Sequence, residues 1–224
     1  MKYYLFILGF LTITLAANGS PFESTVPGIT IGNTHLLDNK GILRGSQPAK
    51  KLSELKAWGV TDVIIFKSPT KDEVKEERAT LKELSMKSHH IAFRWKELVS
   101  PEVACKQVVR ALKILRDNRN KNRVTFFHCT VGEDRTGLLA GVWRILDDGL
   151  TADEAWNTEM CPNGYADGNK FKPKSVASAI HAELTPLYFA LAEKIKNNEL
   201  SLANFNSSIC KNLSLPLVKR TCKR

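Results

Sequence analysis

The 224-residue sequence contains no internal repeat, no low-complexity tract and no second apolar run of membrane-spanning length. These absences exclude a solenoid, a repetitive disordered chain and a multi-span membrane protein. The one long apolar run, Leu5–Ala17, follows the basic start Met-Lys-Tyr-Tyr and ends in small residues, as a secretory signal peptide does. We therefore predict a signal peptide at residues 1–19 and an exported protein, periplasmic or secreted, without a stable membrane anchor.

The remaining residues, 20–224, are enough for a single domain with a sizeable core. With 43% hydrophobic and 25% charged residues, the composition is that of an ordinary soluble globular protein. We predict a domain core at about residues 29–198, followed by a polar C-terminal segment at residues 199–224.

Cysteine is scarce, and its count of five is odd. An odd count in an exported protein leaves at least one thiol unpaired, and we expect that thiol to be Cys129. Cys210 and Cys222 flank a short polar segment and are candidates for a disulfide. In the alternative, all thiols are reduced, and Cys105 and Cys161 are small buried residues.

Acidic residues are outnumbered by basic ones, 23 to 33, which gives a formal charge of +10. This balance favours polyanionic partners, and nucleic acid, anionic lipid and phosphorylated small molecules all satisfy it. The basic residues are spread along the chain instead of forming a basic tail. Charge alone therefore does not choose among these partners, and a solvated cationic surface is an equally good explanation.

Strand-like and helix-like segments alternate along the chain. A hairpin is predicted at residues 29–46, with Gly41 in its turn. Strands are predicted at 61–66, 91–95 and 123–127, and helices at 48–58, 72–87, 101–116, 138–147, 151–159 and 174–196. Thr151 is the expected cap of its helix, and Pro186 is expected to bend or divide the last one. The alternation predicts an α/β fold with a mainly parallel central sheet flanked by helices.

The segment His128-Cys-Thr-Val-Gly-Glu-Asp-Arg-Thr-Gly137 lies between a predicted strand and a predicted helix. A helix N-terminus and converging loop amides attract the negative charges of a phosphate monoester. Gly132 allows the loop to curl, because it has no Cβ. We therefore predict a phosphate cradle, whose substrate-binding residues are Thr130, Val131, Gly132, Glu133 and Asp134.

Cys129 and Arg135 are separated by five residues across this cradle. The guanidinium of Arg135 binds two phosphate oxygens at once, and its charge lowers the pKa of Cys129. The resulting thiolate is a nucleophile for phosphorus. Thr136 is expected to donate its hydroxyl to the departing sulfur, and His128 to orient and tune the loop through hydrogen bonds.

This segment resembles the signature loop of the protein tyrosine phosphatase superfamily: His-Cys, five residues, Arg, then Ser or Thr. Upstream, Leu43-Arg-Gly-Ser-Gln-Pro48, a helix and the Val63-Ile-Ile strand are similar to the start of small bacterial dual-specificity-type phosphatases and phytase-like members. The resemblance covers about residues 30–165. It implies a protein-tyrosine-phosphatase-like fold, a phosphocysteine intermediate, no metal or other cofactor, and a general acid for the leaving oxygen.

Relatives usually place an Asp on a mobile loop upstream of the Cys as this acid, but no Asp occurs between Asp72 and Asp117. Glu97 is the predicted general acid, with Glu102 and Asp134 as alternatives. A general acid needs both the right geometry and a protonated carboxyl, and spacing addresses only the first.

The residues around the loop bear on the substrate. Glu133 stands where many relatives that act on phosphoinositides have Lys, so it is expected to make the mouth less positive. Lys67 and Arg44 are predicted to restore positive charge there, although an ordinary surface position is the alternative for each. His89 and His90 are expected to be surface residues, and their spacing proposes no metal site.

Export and positive charge favour the phytase-like branch, whose substrate class is inositol polyphosphate and whose expected role is phosphate acquisition. A protein tyrosine or dual-specificity phosphatase, including an exported effector, is the alternative within the enzyme class. A module that binds a phosphorylated ligand without cleaving it is the non-enzymatic alternative. Nucleic-acid binding is supported only by charge, and we do not expect it; the sequence leaves the oligomeric state open.

Overall fold

The computed structural model describes residues 21–38, 41–69, 72–94 and 100–222, and the predicted signal peptide lies outside them. The described residues form five strands and six α-helices. The strands are β1 (His35–Leu36), β2 (Ile42–Gly45), β3 (Asp62–Ile65), β4 (Lys87–His90) and β5 (Thr125–His128). The helices are α1 (Leu52–Trp58), α2 (Glu73–Glu83), α3 (Pro101–Arg119), α4 (Asp134–Asp148), α5 (Ala152–Ala155), which continues into a π-helical turn at Trp156–Met160, and α6 (Lys174–Lys196).

The strands form one sheet in the order β1-β2-β5-β3-β4. β1 and β2 form the predicted hairpin and run antiparallel, and the other neighbouring pairs are parallel. This topology confirms the predicted α/β fold. Gly45, Ile65 and His128 occupy one register at the carboxyl ends of β2, β3 and β5. In open α/β sheets this edge is where ligands bind, and it is where the Cys129 loop begins.

Both faces of the sheet are covered, as the apolar β3 strand requires. Val63 and Ile65 point toward one hydrophobic cluster, which includes residues of α1 and α2. Ile64 points toward the larger cluster, which includes residues of α3, α4 and α6. The sheet therefore holds the carboxyl end of β5 between two packed layers.

Two helix boundaries differ from the prediction for backbone reasons. α1 begins at Leu52 instead of residue 48, because Ala49 has a positive φ of 49° and Lys51 closes a turn onto the carbonyl of Pro48. α2 ends at Glu83 instead of residue 87, because Ser85 has a φ of 55°. Left-handed backbone at a non-glycine residue is incompatible with a continuing helix.

The strand predicted at residues 91–95 is wrong: β4 is the polar segment Lys87–His90. Its His89 Nε2 donates to Asp62 Oδ1 at 2.8 Å, and its His90 Nε2 lies 3.0 Å from the carbonyl oxygen of Lys67. Both histidines are half-buried, so the expected surface positions were also wrong. β4 is an edge strand with polar side chains, so its sequence lacks the apolar residues that predict a strand. The apolar residues that led to the prediction begin at Ile91, directly after β4 ends.

The helical prediction after the signature segment is more accurate. Thr151 caps α5 with Glu154 in a capping box, as expected. α6 covers the predicted residues, but it is not divided at Pro186, which lies inside it. Across the described ranges, no helix combines the length and the apolar character that crossing a membrane requires.

The cysteine pairing also differs from the prediction. The disulfides are Cys105–Cys210 and Cys161–Cys222, so the predicted Cys210–Cys222 bridge is wrong. Their partners are 105 and 61 residues apart in the sequence, a separation from which no pairing can be inferred. The bridges tie the C-terminal segment to α3 and to the turn after α5. Cys129 has a free thiol, as predicted.

Candidate active site

The signature loop, residues 129–135, leaves β5 after His128 and runs into α4. Gly132 has a φ of +72°, and a Cβ placed on it would lie 2.6 Å from the backbone of Gly45 and Ser46. Both the left-handed conformation and this close approach require glycine. The loop is thus pressed directly against the segment that follows β2.

That segment, Leu43–Pro48, and Asn33 hold the backbone of the loop through hydrogen bonds. The carbonyl oxygen of Gly132 accepts hydrogen bonds from Arg44 Nη2 and from Asn33 Nδ2, the latter at 2.9 Å. The backbone N–H of Gln47 donates to the carbonyl oxygen of Thr130 at 3.0 Å. The upstream motif and the signature loop are therefore one structural unit.

Cys129 is only 2% exposed at the base of the loop. Burial acts to raise the pKa of its thiol, but the charge of Arg135 and hydrogen bonds from Thr136 outweigh burial and lower the pKa. The thiolate, which is the nucleophilic form, is therefore favoured. The structure brings Cys129, Arg135 and Thr136 together as the sequence predicted.

The guanidinium of Arg135 is held across the loop. Its Nη2 donates to Thr130 Oγ1 at 3.1 Å, and its Nη1 donates to the carbonyl oxygen of Phe93 at 3.3 Å. Thr130 and Val131 are half-buried beside it. A guanidinium fixed in this way presents a pre-organised fork to phosphate oxygens.

His128 is fully buried and connects the nucleophile to α2. Its Nδ1 lies 2.7 Å from the carbonyl oxygen of Cys129, and its Nε2 lies 2.7 Å from Glu77 Oε1. Glu77 was missed by sequence reasoning. It lies in a strongly charged helix and carries no motif, so the sequence offered no signal that could have found it.

Arg44 is not at the mouth of the site, contrary to the prediction. It is fully buried, and its Nη1 donates to Glu159 Oε1 at 2.6 Å. Burial acts to raise the pKa of Glu159, but the hydrogen bond from His35 and the charge of Arg44 lower it to about 2. Arg44 therefore holds the carbonyl of Gly132 in place and does not face substrate.

Lys67 is likewise buried, with 1% exposure, and does not add positive charge to the mouth. Its Nζ donates to Gln47 Oε1 at 2.8 Å and to Glu73 Oε2 at 2.7 Å. The prediction failed because the end of a strand in this sheet is covered by α2, which the sequence pattern does not reveal.

Glu133 points into the protein, so the predicted negative contribution to the mouth is wrong. It accepts from Asn169 at 3.0 Å and lies 3.1 Å from Lys172 Nζ, and burial raises its pKa. Asp134 accepts from the backbone N–H of Ala166 at 2.8 Å and from Lys172. Both carboxylates tie the loop to residues 164–172.

The three candidates for the general acid have different positions. Glu102 is half-buried in the first turn of α3. A hydrogen bond and the charge of Lys106 lower its pKa, which disfavours the protonated form that an acid needs. Asp134 is engaged by Lys172. Glu97 lies outside the described residues, in the gap at 95–99.

A sequence model of the tyrosine phosphatase family matches residues 38–146, which include both the Leu43–Pro48 segment and the signature loop. Residues 38–146 belong to the tyrosine phosphatase family. With a free Cys129 of lowered pKa and Arg135 beside it, the protein is a cysteine-dependent phosphatase. A search of the curated proteins finds no match to the chain.

Solved structures share the fold at low sequence identity. A mutant form of Tk-PTP is 16% identical, with a TM-score of 0.53 over 73% of this chain and 97% of that one. The catalytic domain of the PP-IP phosphatase SIW14 from S. cerevisiae, in complex with citrate, is 18% identical, with a TM-score of 0.52 over 77% and 96%. A DUF442 protein from Shewanella putrefaciens is 19% identical, with a TM-score of 0.50 over 75% and 93%. At this identity the likeness concerns the fold.

Proposed function

We propose that this phosphatase acts on inositol polyphosphate outside the cytoplasm. The observation that carries the proposal is a pair of exposed cations, Arg94 and Lys170, each of which directly follows a residue that contacts the signature loop. Arg94 follows Phe93, whose carbonyl contacts Arg135, and Lys170 follows Asn169, which binds Glu133. Among the described residues, neither Arg94 nor Lys170 forms an ion pair, although many other basic side chains do.

A substrate with several phosphates makes use of such an arrangement. The scissile phosphate lies in the loop against Arg135, and the neighbouring phosphates reach outward to Arg94 and Lys170. A singly phosphorylated substrate leaves both outer cations without a partner. SIW14, which shares the fold, is described as a PP-IP phosphatase, and the proposal extends a polyphosphorylated substrate class to this chain.

The reaction follows from the site. The thiolate of Cys129 attacks phosphorus, the S–P bond forms, and the bond to the leaving oxygen breaks as a general acid protonates that oxygen. Water then attacks the phosphocysteine and gives a proton to the acid residue, which the first step has left ionised. The S–P bond breaks, and the hydroxyl of Thr136 donates a hydrogen bond to the departing thiolate. Arg135 stabilises the charge on the equatorial oxygens in both steps. Glu97 remains the predicted acid.

The location outside the cytoplasm is supported by the cysteines. Four of the five are paired in the two disulfides, and such bonds persist in oxidising compartments. Together with the apolar N-terminal run of the sequence, they favour a protein exported to the periplasm or the medium.

One observation favours a second candidate, a phosphotyrosine protein phosphatase. Phe171 is 72% exposed and lies next to Lys170, near the residues that hold Glu133 and Asp134. An exposed aromatic side chain beside a phosphate site offers a stacking surface for the phenyl ring of phosphotyrosine. This candidate predicts faster turnover of a phosphopeptide than of an inositol phosphate.

A phosphate-release assay separates the two substrates. We expect a higher kcat/KM for phytate than for a phosphotyrosine peptide. When Arg94 and Lys170 are both replaced by Ala, kcat/KM for phytate should fall about tenfold, with the turnover of p-nitrophenyl phosphate unchanged. Phe171→Ala is the matched variant for the second candidate. A higher kcat/KM for the peptide, lowered by Phe171→Ala, would overturn the proposal.

A further inference from the structure

A buried chain of polar side chains leads from α2 to the nucleophile. Glu77 is 5% exposed and His128 is fully buried. Glu77 Oε1 lies 2.7 Å from His128 Nε2, and His128 Nδ1 lies 2.7 Å from the carbonyl oxygen of Cys129. Both nitrogens of the imidazole ring therefore face oxygen atoms at hydrogen-bond distance.

Counting protons limits the states of this group. A neutral imidazole has a single N–H, and the carbonyl oxygen of Cys129 can only accept. A neutral His128 that donates to that carbonyl therefore needs a protonated Glu77 to donate to its Nε2. If Glu77 is a carboxylate, a neutral ring protonated at Nε2 would hold a bare Nδ1 2.7 Å from the carbonyl oxygen, which is repulsive. A doubly protonated His128 instead makes two charge-assisted contacts from one ring.

The hydrogen bonds on the far side of Glu77 decide whether Glu77 or His128 carries the proton. Gln47 Nε2 donates to Glu77 Oε2 at 3.4 Å, and Gln47 Oε1 accepts from Lys67 Nζ at 2.8 Å. The amide of Gln47 thus donates to the carboxyl oxygen that His128 does not contact, and Gln47 is itself oriented by the buried ammonium group of Lys67. Hydrogen bonds donated from Lys67 to Gln47 and from Gln47 to Glu77 favour a carboxylate at Glu77, and therefore an imidazolium at His128.

We propose that Glu77 is a positioning residue that keeps His128 doubly protonated, so that His128 fixes the carbonyl of Cys129 and adds a buried positive charge next to the thiolate. The inference rests on the cysteine-phosphatase chemistry of the site and not on the identity of the substrate. It also gives Lys67 and Gln47 a role, since both hold the far side of Glu77.

The electrostatics of the site agree with this geometry. Burial acts to lower the pKa of His128, but the charge and hydrogen bond of Glu77 outweigh burial and raise the pKa, and the charge of Cys129 raises it further. The coupling is reciprocal, so a charged His128 lowers the pKa of Cys129. The other charged groups that surround the pair are Arg135 and Asp134 beside Cys129, and Lys67 and Glu73 behind Glu77.

The first test is the alkylation of Cys129 by iodoacetamide as a function of pH. Cys129 is the one free thiol of the chain, because the other four cysteines are in disulfides. Glu77→Gln keeps the shape of the side chain and removes its charge. We expect the midpoint of alkylation to rise by about one pH unit, which is the usual size of a single charge effect. The acidic limb of kcat/KM for p-nitrophenyl phosphate should move with it.

The matched control is Glu76→Gln, one residue away on the exposed side of α2. It removes the same charge from the same helix, and we expect no shift in the alkylation midpoint. A folded Glu77→Gln protein whose midpoint equals that of Glu76→Gln would overturn the proposal. Failure of the protein to hydrolyse phytate would not affect this readout, because alkylation needs no substrate.

The second test needs no variant and therefore does not depend on folding. The ring nitrogens of His128, measured by 15N NMR in the intact protein at neutral pH, should both show the chemical shift of a protonated imidazolium nitrogen. A ring with one bare nitrogen at that pH would contradict the proposal.

Discussion

The two sides of the signature loop differ in how far the fold determines them. The inner side is fixed by hydrogen bonds: the side chains of Arg44 and Asn33 hold the carbonyl of Gly132, the backbone N–H of Gln47 holds Thr130, and Glu77 holds His128. The outer side has the exposed residues Arg94, Lys170 and Phe171. The comparison teaches that the residues of the chemistry are held by the core, and on the proposed function substrate choice rests with exposed residues that make none of these contacts.

The largest expected effect comes from the centre of the inner side. Cys129→Ser removes the thiolate, and we expect phosphate release to fall by at least about 10⁴-fold, because the nucleophile is lost. Binding of inorganic phosphate or vanadate should remain, since Arg135 and the loop amides are intact. Hydrolysis of p-nitrophenyl phosphate and anion binding by calorimetry provide the two readouts. Substantial residual hydrolysis would show that another residue is the nucleophile.

Gly132→Ala tests the contact between the loop and the segment below it. Its Cβ would lie 2.6 Å from backbone atoms, so the loop must shift, and a displacement of that kind costs about 100-fold in kcat/KM. Gly149→Ala is the control, because Gly149 also has a positive φ but no atom near its Cβ. We expect Gly149→Ala to reduce thermal stability while leaving kcat/KM unchanged. Equal kcat/KM values for both variants would contradict the claim that the contact between Gly132 and the backbone of Gly45 and Ser46 positions the signature loop.

The disulfides should separate stability from chemistry. Replacing Cys161 and Cys222 by Ser releases a closed segment, and we expect the free energy of unfolding to fall by about 4 kcal/mol on the chain-entropy account. Below the melting transition, kcat/KM should change little, because the inner side of the loop makes its contacts elsewhere. Denaturant unfolding and steady-state kinetics on one preparation measure both quantities. A large loss of kcat/KM in the folded variant would mean that the residue 161–172 region supports catalysis.

The smallest expected effect comes from the outer side. Arg94→Ala and Lys170→Ala should each raise KM for phytate about threefold, because exposed charges contribute little individually. The kcat for p-nitrophenyl phosphate should be unchanged. Exposed Lys113, on α3, is a suitable control for the general loss of one positive charge. If Lys113→Ala raised KM for phytate equally, the effect would come from the net charge of the protein, and Arg94 and Lys170 would have no specific role.

The pH dependence follows from the lowered pKa of Cys129. The thiolate is present above that pKa, so activity should be lost as the pH falls through it and retained across the range where an ordinary cysteine would be protonated. The acidic limb of kcat/KM against pH measures this directly. An acidic limb near the pKa of a free cysteine would show that the loop does not activate the thiol.

The sequence predicted the parts of the site that are close together in the chain. Cys129, Arg135 and Thr136 share one strand-to-helix connection, so their spacing was sufficient to infer their neighbourhood. Arg44 was misassigned because its burial depends on Glu159, which is 115 residues away in the sequence. Lys67 was misassigned because α2 covers it, with Glu73 as its partner. Long side chains at strand ends give the same sequence pattern whether they point outward or inward.

The fold shows the same division. The alternation of segments predicted the parallel sheet, because apolar strands covered on both faces have a strong sequence signal. β4 was missed because its residues are polar and its partners, such as Asp62, lie on another strand. The disulfides could not be paired, since Cys105 and Cys210 meet only in the folded chain. Glu77 could not be predicted from the sequence either, because it contacts His128 only in the folded protein.

The most direct test of the account is to trap the covalent intermediate. The protein is mixed with p-nitrophenyl phosphate, quenched with acid during turnover and digested, and the peptides are analysed by mass spectrometry. We predict one added phosphoryl group on the sulfur of Cys129, and none in the Cys129→Ser protein. Turnover with the phosphoryl group on another residue, or with no phosphoenzyme while Cys129→Ser remains active, would contradict the central claim that Cys129 is the nucleophile.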